Sequence, residues 1–272
     1  MQCLLQRIIQ TRVVRGAGGM IEVQTAGLGN GSEQTVILSV EPGSFLIREA
    51  RLECATLADE EIVPLRQLHA VKAYLDGGAG LKSALKSLDK PVAALVAEAV
   101  RGVVQAETYL LRERGFSSPA EYGRYWETMY AGSCRYYSNL DRVKRLWDEY
   151  AGKGERSGQL FLRNKTCLLY TLGQNRYLSV GSLSDTFHEL NVRIRTDGAV
   201  ILSAEADFLR VPDQVCTEAA QFLTGLAGTD TRHCHKKDLA GTLGAGQGCI
   251  HLIDVVEDAM GLIASNVVTG YD

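Results

Sequence analysis

The stretch Val192-Arg-Ile-Arg-Thr-Asp-Gly-Ala-Val-Ile-Leu202 alternates apolar and polar residues up to an Asp-Gly pair and then becomes apolar again. Period-two alternation broken by such a pair is typical of an antiparallel β-hairpin. A comparable stretch, Val36-Ile-Leu-Ser-Val-Glu-Pro-Gly-Ser-Phe-Leu-Ile47, turns at Pro-Gly. After each hairpin, apolar residues recur at three- and four-residue spacing, which predicts helices. The sequence therefore predicts an α+β fold that combines antiparallel sheet with helices.

The two hairpins lie in two halves of the chain that match each other weakly. Their first residues are 156 positions apart, and so are Arg7 and Arg163, which open strand-like stretches further upstream. Each half predicts a small antiparallel sheet that is followed by about three helices. The predicted helices cover residues 60–75, 80–88 and 92–111 in the first half and residues 213–226, 235–243 and 249–263 in the second.

A segment of different composition, residues 117–156, separates the two halves. It contains both tryptophans and six of the eleven tyrosines, and it opens with Ser117-Ser-Pro-Ala. A serine followed by a proline is a typical helix start. So many aromatic side chains favour a segment that packs on its neighbours over a bare linker. We predict three parts: a first repeat at 1–116, an aromatic-rich helical connector at 117–156 and a second repeat at 157–272.

Composition narrows the class of protein. The formal charge is −3 and 46% of the residues are hydrophobic. The hydrophobic fraction is typical of a globular protein with a hydrophobic core. The chain has no excess of positive charge that would favour binding of nucleic acid. We find no apolar run long enough to cross a membrane. Seven cysteines, an odd number, argue against a disulfide framework. We therefore expect a cytoplasmic protein that binds neither nucleic acid nor membrane.

Side chains that bind transition metals are concentrated in the second half. Four of the five histidines and three of the seven cysteines lie between residues 188 and 251. Thiolate and imidazole groups hold zinc or iron–sulfur clusters, with Asp185 or water as an additional ligand. Inert burial of the cysteines, or a reactive thiol at a helix start, are the alternative interpretations. The candidate metal ligands are Asp185, His188, Cys216, Cys249 and His251.

A second candidate site lies in the aromatic connector. Arginine and tyrosine side chains together suit an anionic or flat molecule, although burial against the two halves explains them equally well. The candidate cofactor-binding residues are Tyr130, Cys134, Arg135 and Tyr136.

The second half resembles a bacterial domain family of unknown function through its Gly248-Cys249-Ile-His251-Leu252 motif, together with the earlier Asp185-Thr-Phe-His188. More distantly, it is similar to the NifU/IscU-type iron–sulfur scaffold proteins. This resemblance implies a tandem repeat of two NifU/IscU-like domains with metal ligands only in the second one. At the offsets of Cys249 and His251, the first half has Val92 and Ala94.

The resemblance implies a metal- or iron–sulfur-cluster-binding scaffold, carrier or accessory maturation protein, with an iron–sulfur cluster or zinc as the cofactor. The alternative is a metal-dependent enzyme, using zinc or an iron–sulfur centre, that acts on a small molecule bound between the two repeats. The expected partner is accordingly a client metalloprotein or a small molecule, and a homodimer is compatible with the sequence. Both hypotheses require Cys216, Cys249 and an imidazole to meet at one point.

Overall fold

The fold is α+β and consists of antiparallel sheet and several helices, as the sequence predicts. The computed structural model describes residues 1–29, 32–56, 59–152 and 155–269. The chain divides into two compact units. The N-terminal unit contains residues 8–122 and 152–164, and the C-terminal unit contains residues 1–7, 123–151 and 165–272.

The N-terminal unit is built on consecutive antiparallel strands with helices that follow them. Its main strands and helices are β1 (Gln2–Arg15), β2 (Ile21–Gly29), β3 (Ser32–Val40), β4 (Ile47–Ala55), β5 (Glu60–Pro64), α1 (Gly78–Lys86) and α2 (Lys90–Ala106). The strands pair in the order β5-β4-β3-β2-β1. Helix α2 packs on β2 and β3 and buries Leu95, Val96 and Ala99.

The helix predicted at 60–75 is wrong. Residues Glu60–Pro64 form β5, which pairs with β4, and two short 3-10 helices follow at Arg66–Leu68 and Leu75–Gly77. The buried side chains of Leu65 and Leu68 are three residues apart, and this spacing imitates the pattern of a helix. The predicted helices at 80–88 and 92–111 correspond to α1 and α2, although α2 ends at Ala106.

The C-terminal unit also has a meander of strands, namely β6 (Gln159–Gly173), β7 (Arg176–Asp185), β8 (Glu189–Asp197) and β9 (Val200–Arg210), which neighbour each other in that order. The hairpin predicted at Asp197-Gly198 is confirmed, since Asp197 pairs with Val200 and Gly198 has a φ of +53°. The helices predicted at 213–226, 235–243 and 249–263 are also confirmed, the first as a 3-10 helix, Gln214–Leu226. The second and third of these helices are α5 (Lys236–Thr242) and α6 (Ile250–Thr269).

Helix α6 forms the core of the C-terminal unit together with the sheet. It packs on β7 and β8, and it buries Leu252, Val256 and Ile263. A partly buried ion pair between Lys165 Nζ and Asp258 Oδ2, 2.6 Å apart, also joins α6 to β6. These contacts fix the position of the first turn of α6 relative to the end of β7.

The aromatic connector contains two helices, α3 (Pro119–Met129) and α4 (Trp147–Ala151), and turns between them. The predicted serine cap is confirmed because Ser118 Oγ accepts a hydrogen bond from the Glu121 amide at 3.2 Å. The predicted boundaries at 116/117 and 156/157, and the NifU/IscU-like character of the two repeats, stay predictions. Among the described residues, no helix combines the length and apolar character needed to cross a bilayer.

Close packing of α6 on β7 depends on the absence of a side chain at Gly181. A Cβ at this position would lie 2.6 Å from Val255 Cγ1 and 3.3 Å from the Val255 carbonyl oxygen. We expect Gly181→Ala to lower the free energy of unfolding by about 1–3 kcal/mol through overpacking.

Gly261→Ala is the matched control because a Cβ there meets nothing within 4 Å. In a helix it should leave stability unchanged or raise it by up to about 1 kcal/mol. Equal stabilities of the two variants in urea titrations would contradict this packing.

Candidate metal centre

The turn between β7 and β8 positions two of the predicted ligands. The Asp185 amide donates to the His188 carbonyl at 2.7 Å. In return, Asp185 Oδ1 accepts hydrogen bonds from the amides of Phe187 at 2.8 Å and His188 at 2.7 Å. An aspartate that bonds to amides two and three residues ahead stabilises a tight turn. The same oxygen lies 3.2 Å from His188 Nδ1, so the carboxylate also orients the imidazole ring.

His251 reaches this turn from the first turn of α6. Its ring stacks on the His188 ring, with centroids 3.8 Å apart and planes inclined by 27°. Gly248 precedes the helix where the chain passes close to itself. A Cβ on Gly248 would lie 2.0 Å from the Leu243 carbonyl oxygen, so only glycine fits.

Asp185, His188 and His251 together form a possible set of metal ligands. One ligand atom from each residue lies within 4.8 Å of those of the other two, and the three residues are only 4%, 7% and 7% exposed. In the part of the chain that the structure describes, this is the one group of its kind. Two imidazoles and a carboxylate are donors that suit zinc and other divalent transition metals.

Neighbouring elements hold the backbone of the turn from two sides. The Arg210 guanidinium, at the end of β9, donates to the carbonyls of Asp185 and Thr186, both at 2.7 Å. The Tyr150 hydroxyl of α4 donates to the Phe187 carbonyl, and the Trp147 ring lies 4.9 Å from the Phe187 ring. Neither Arg210 nor the contact of Tyr150 could be predicted from the sequence, because bonds to backbone carbonyls leave no pattern in it.

Cys216 lies near the start of the 3-10 helix Gln214–Leu226. Asp213 caps that helix, as Oδ1 accepts from the Val215 amide at 3.0 Å. Its Oδ2 accepts from the Lys144 and Arg145 amides at 2.9 and 3.2 Å, which attaches the connector to this helix start. Cys216 is buried, and burial raises the pKa of its thiol to about 12.

Cys249 is buried at the start of α6, and burial raises the pKa of its thiol to about 12 as well. Neither Cys216 nor Cys249 belongs to the group formed by Asp185, His188 and His251. The structure thus brings three of the five candidate ligands together and places the two thiols outside that group.

The four candidate cofactor-binding residues have contacts within the protein. Arg135 donates to the Val215 carbonyl at 3.0 Å and to the Gln247 carbonyl at 3.2 Å, and it pairs with Glu218. The Tyr136 hydroxyl donates to a backbone carbonyl at 3.1 Å.

The Tyr130 ring stacks on Trp126 at 4.0 Å, and Cys134 packs partly buried against Tyr136 and Cys216. These contacts give all four residues a structural role, and their binding of a cofactor stays a prediction.

Residues 174–264 match the model of a family described as Protein of unknown function (DUF2889). This segment is about a third of the chain and contains all five candidate metal ligands. The match agrees with the resemblance of the second half to a domain of unknown function, while the resemblance to NifU/IscU-type scaffolds stays a prediction. No significant match was found among curated proteins or among solved structures.

The raised pKa of Cys216 has a direct chemical consequence. With a pKa of about 12, this thiol is protonated at pH 8, whereas alkylating reagents react with thiolates. We expect iodoacetamide at pH 8 to modify Cys216 at least about a hundred-fold more slowly than the exposed Cys3, measured by mass spectrometry of peptides. The Cys216 rate should rise with pH and should match that of Cys3 in guanidinium. Equal rates in the folded protein would contradict the burial of Cys216.

Proposed function

We propose that this protein binds one divalent transition-metal ion, zinc by its donor set, through Asp185, His188 and His251. The observation that carries the proposal is the convergence of three buried donors from two separate parts of the chain within 4.8 Å. Zinc bonds to nitrogen and oxygen are about 2.0–2.2 Å long, so the three side chains need only a small inward movement to share an ion.

The contact between Asp185 and His188 also supports a metal ion at this point. The 3.2 Å contact between Asp185 Oδ1 and His188 Nδ1 is the kind of carboxylate–imidazole contact that orients metal-binding histidines. Asp185 thus orients His188 and lies close enough to serve as the third ligand.

Three protein ligands leave a fourth coordination position for water or a substrate. That is the arrangement of catalytic zinc sites, whereas structural sites use four protein ligands. The low exposure of the three side chains favours an ion that is retained over one that is handed to another protein. The proposed centre is therefore of the enzyme type, with a small molecule as substrate.

The scaffold or carrier role, with an iron–sulfur cluster, stays a prediction. Iron–sulfur clusters are held mainly by thiolates. The donors that converge are nitrogen and oxygen atoms, and Cys216 and Cys249 lie outside the group. This donor set fits a single ion better than a cluster.

Metal analysis of the full chain tests the proposal. We expect one zinc ion per chain after reconstitution, and visible absorption bands of four- or five-coordinate cobalt after cobalt substitution. Asp185→Asn, His188→Gln and His251→Gln should each weaken zinc binding at least about ten- to a hundred-fold, since even partners of ligands have effects of this size. His235→Gln is the matched control because His235 is an exposed histidine outside the group.

Two results would contradict the proposed site: a reconstituted wild-type chain without zinc, or ligand variants that bind zinc as tightly as His235→Gln does. Purification without oxygen, followed by absorption spectroscopy, distinguishes the predicted alternative. A stoichiometric iron–sulfur spectrum that survives His188→Gln and His251→Gln would favour the scaffold role.

A further inference from the structure

The N-terminal unit has a groove of about 710 Å³ on the face of its sheet that is remote from α2. On β2, Gly27 faces α2, since a Cβ there would lie 2.9 Å from Leu95 Cδ2. Side chains alternate along a strand, so Glu22 lies on the remote face, as does its cross-strand partner Ser39. Both line the groove, and a volume of about 300–1,000 Å³ is typical of sites for small organic molecules.

The groove has a floor of strands and two walls, all within the N-terminal unit. Its floor consists of residues from the neighbouring strands β2, β3 and β4. The turn at 16–20, between β1 and β2, provides one wall, and the segment 65–69 provides the other. The Leu65 amide donates to the Ala50 carbonyl at 2.9 Å, which attaches this second wall to β4.

The groove contains buried apolar side chains. Ile37 of β3 lies on the face remote from α2 and is nevertheless only 7% exposed. Leu65, on the second wall, is 4% exposed. Buried apolar side chains beside polar ones are the usual lining of a site that holds the apolar body of a small molecule.

Two arginines of β4 line the groove and differ in their partners. Arg48 pairs with Glu41 at 2.7 Å, so its charge is compensated. Arg51, the cross-strand partner of Ile37, donates through Nε to Glu53 Oε1 at 2.9 Å. This bond orients the Arg51 guanidinium and leaves both its terminal nitrogens without a partner among the described residues.

The second wall adds Arg66 and His69. The His69 amide donates to the Arg66 carbonyl at 3.1 Å, and a turn closed between residues three apart brings their side chains to the same side. Both side chains are exposed. Within the ranges that the structure describes, the Arg66 guanidinium has no carboxylate or other hydrogen-bond partner. Its donors are therefore free to bind a ligand.

Two carboxylates limit where an anion can bind. Glu22 and Glu49 are both cross-strand partners of Ser39 and form a separate row across the floor. Along β4, Glu49 is two residues from Arg51, which is a distance of roughly 7 Å. Because the carboxylates repel negative charge, they restrict the anionic group of a ligand to the arginine end of the groove.

We propose that this groove binds a small organic oxyanion, namely a carboxylate or phosphate ester with an apolar body. The anionic group lies between Arg51, Arg66 and His69. The apolar body lies over Ile37 and Leu65. The planar fork of a guanidinium matches two oxygen atoms of a carboxylate or a phosphate. This site goes beyond the proposed metal site and does not depend on it.

Amide NMR spectra of the isotopically labelled, metal-free full chain test the groove with three probes: naphthyl phosphate, naphthoate and the neutral naphthylmethanol. We expect both anions to shift the amide signals of Ser39, Ala50 and Leu65 in a saturable way. Naphthylmethanol should bind at least about ten-fold more weakly, because it cannot form charge-assisted hydrogen bonds. Tighter binding of naphthyl phosphate would identify a phosphate ester as the ligand, and tighter binding of naphthoate a carboxylic acid.

Equal affinities for the neutral probe and the anions would overturn the proposal, as would shifts confined to residues outside the groove. These titrations need no variant, and without metal they are independent of the zinc site.

Variants identify the side chains that bind the anion. Arg51→Gln and Arg66→Gln should each weaken binding of the tighter anion at least about ten-fold. Arg176→Gln is the matched control because Arg176 is an exposed arginine on β7, outside the groove. Arg66 is exposed as well, so its replacement should leave the fold intact. An Arg66→Gln chain that binds the anion as tightly as Arg176→Gln does would overturn the assigned site.

Discussion

The hydrogen bonds that the Asp185 carboxylate accepts from the turn between β7 and β8 are the constraint on which the site depends. They fix the backbone of Phe187 and His188, and they place the His188 imidazole beside the carboxylate. Without the carboxylate, the amides of Phe187 and His188 would lack the acceptor that closes this turn, and the His188 ring would lose its orientation. Arg210 and Tyr150 add bonds to the carbonyls of the same turn, so both its amides and its carbonyls are used.

The position of His251 in the site depends on where α6 begins. The close passage of Gly248 past the Leu243 carbonyl sets that start, and packing of the helix on β7 and β8 fixes its direction. His251 then stacks on His188. Two local structures, a hairpin turn and a helix start, therefore meet at one buried point. Arg135 contributes from the connector because it holds the residues that precede Cys216 and Cys249.

Much of the fold could be predicted from the sequence because the signals are local. The Asp197-Gly198 turn, the Ser118 cap and the helices of the C-terminal unit follow from turn chemistry and apolar spacing. The prediction of a helix at 60–75 is wrong because the apolar spacing of this segment fits a helix, while the pairing of Glu60–Pro64 with β4 decides its structure. That pairing is tertiary, and nothing within the segment shows it.

The candidate site could also be predicted only in part from the sequence. Asp185 and His188 are three residues apart, so a single turn brings them together. The Gly-Cys-Ile-His-Leu motif of the second half contains the third residue, His251. Whether Cys216 and Cys249 join them depends on side-chain directions that spacing does not give. The sequence also suggested a ligand-binding role for Arg135, whereas the structure shows hydrogen bonds to backbone carbonyls, which carry no sequence signature.

Zinc-edge anomalous diffraction from crystals of the zinc-loaded full chain tests the central claim most directly, because it locates the ion without assumptions about ligands. We expect an anomalous peak between the side chains of Asp185, His188 and His251, at about 2.0–2.2 Å from one atom of each. A well-loaded crystal with no peak at that point, whatever it shows elsewhere, would contradict the claim.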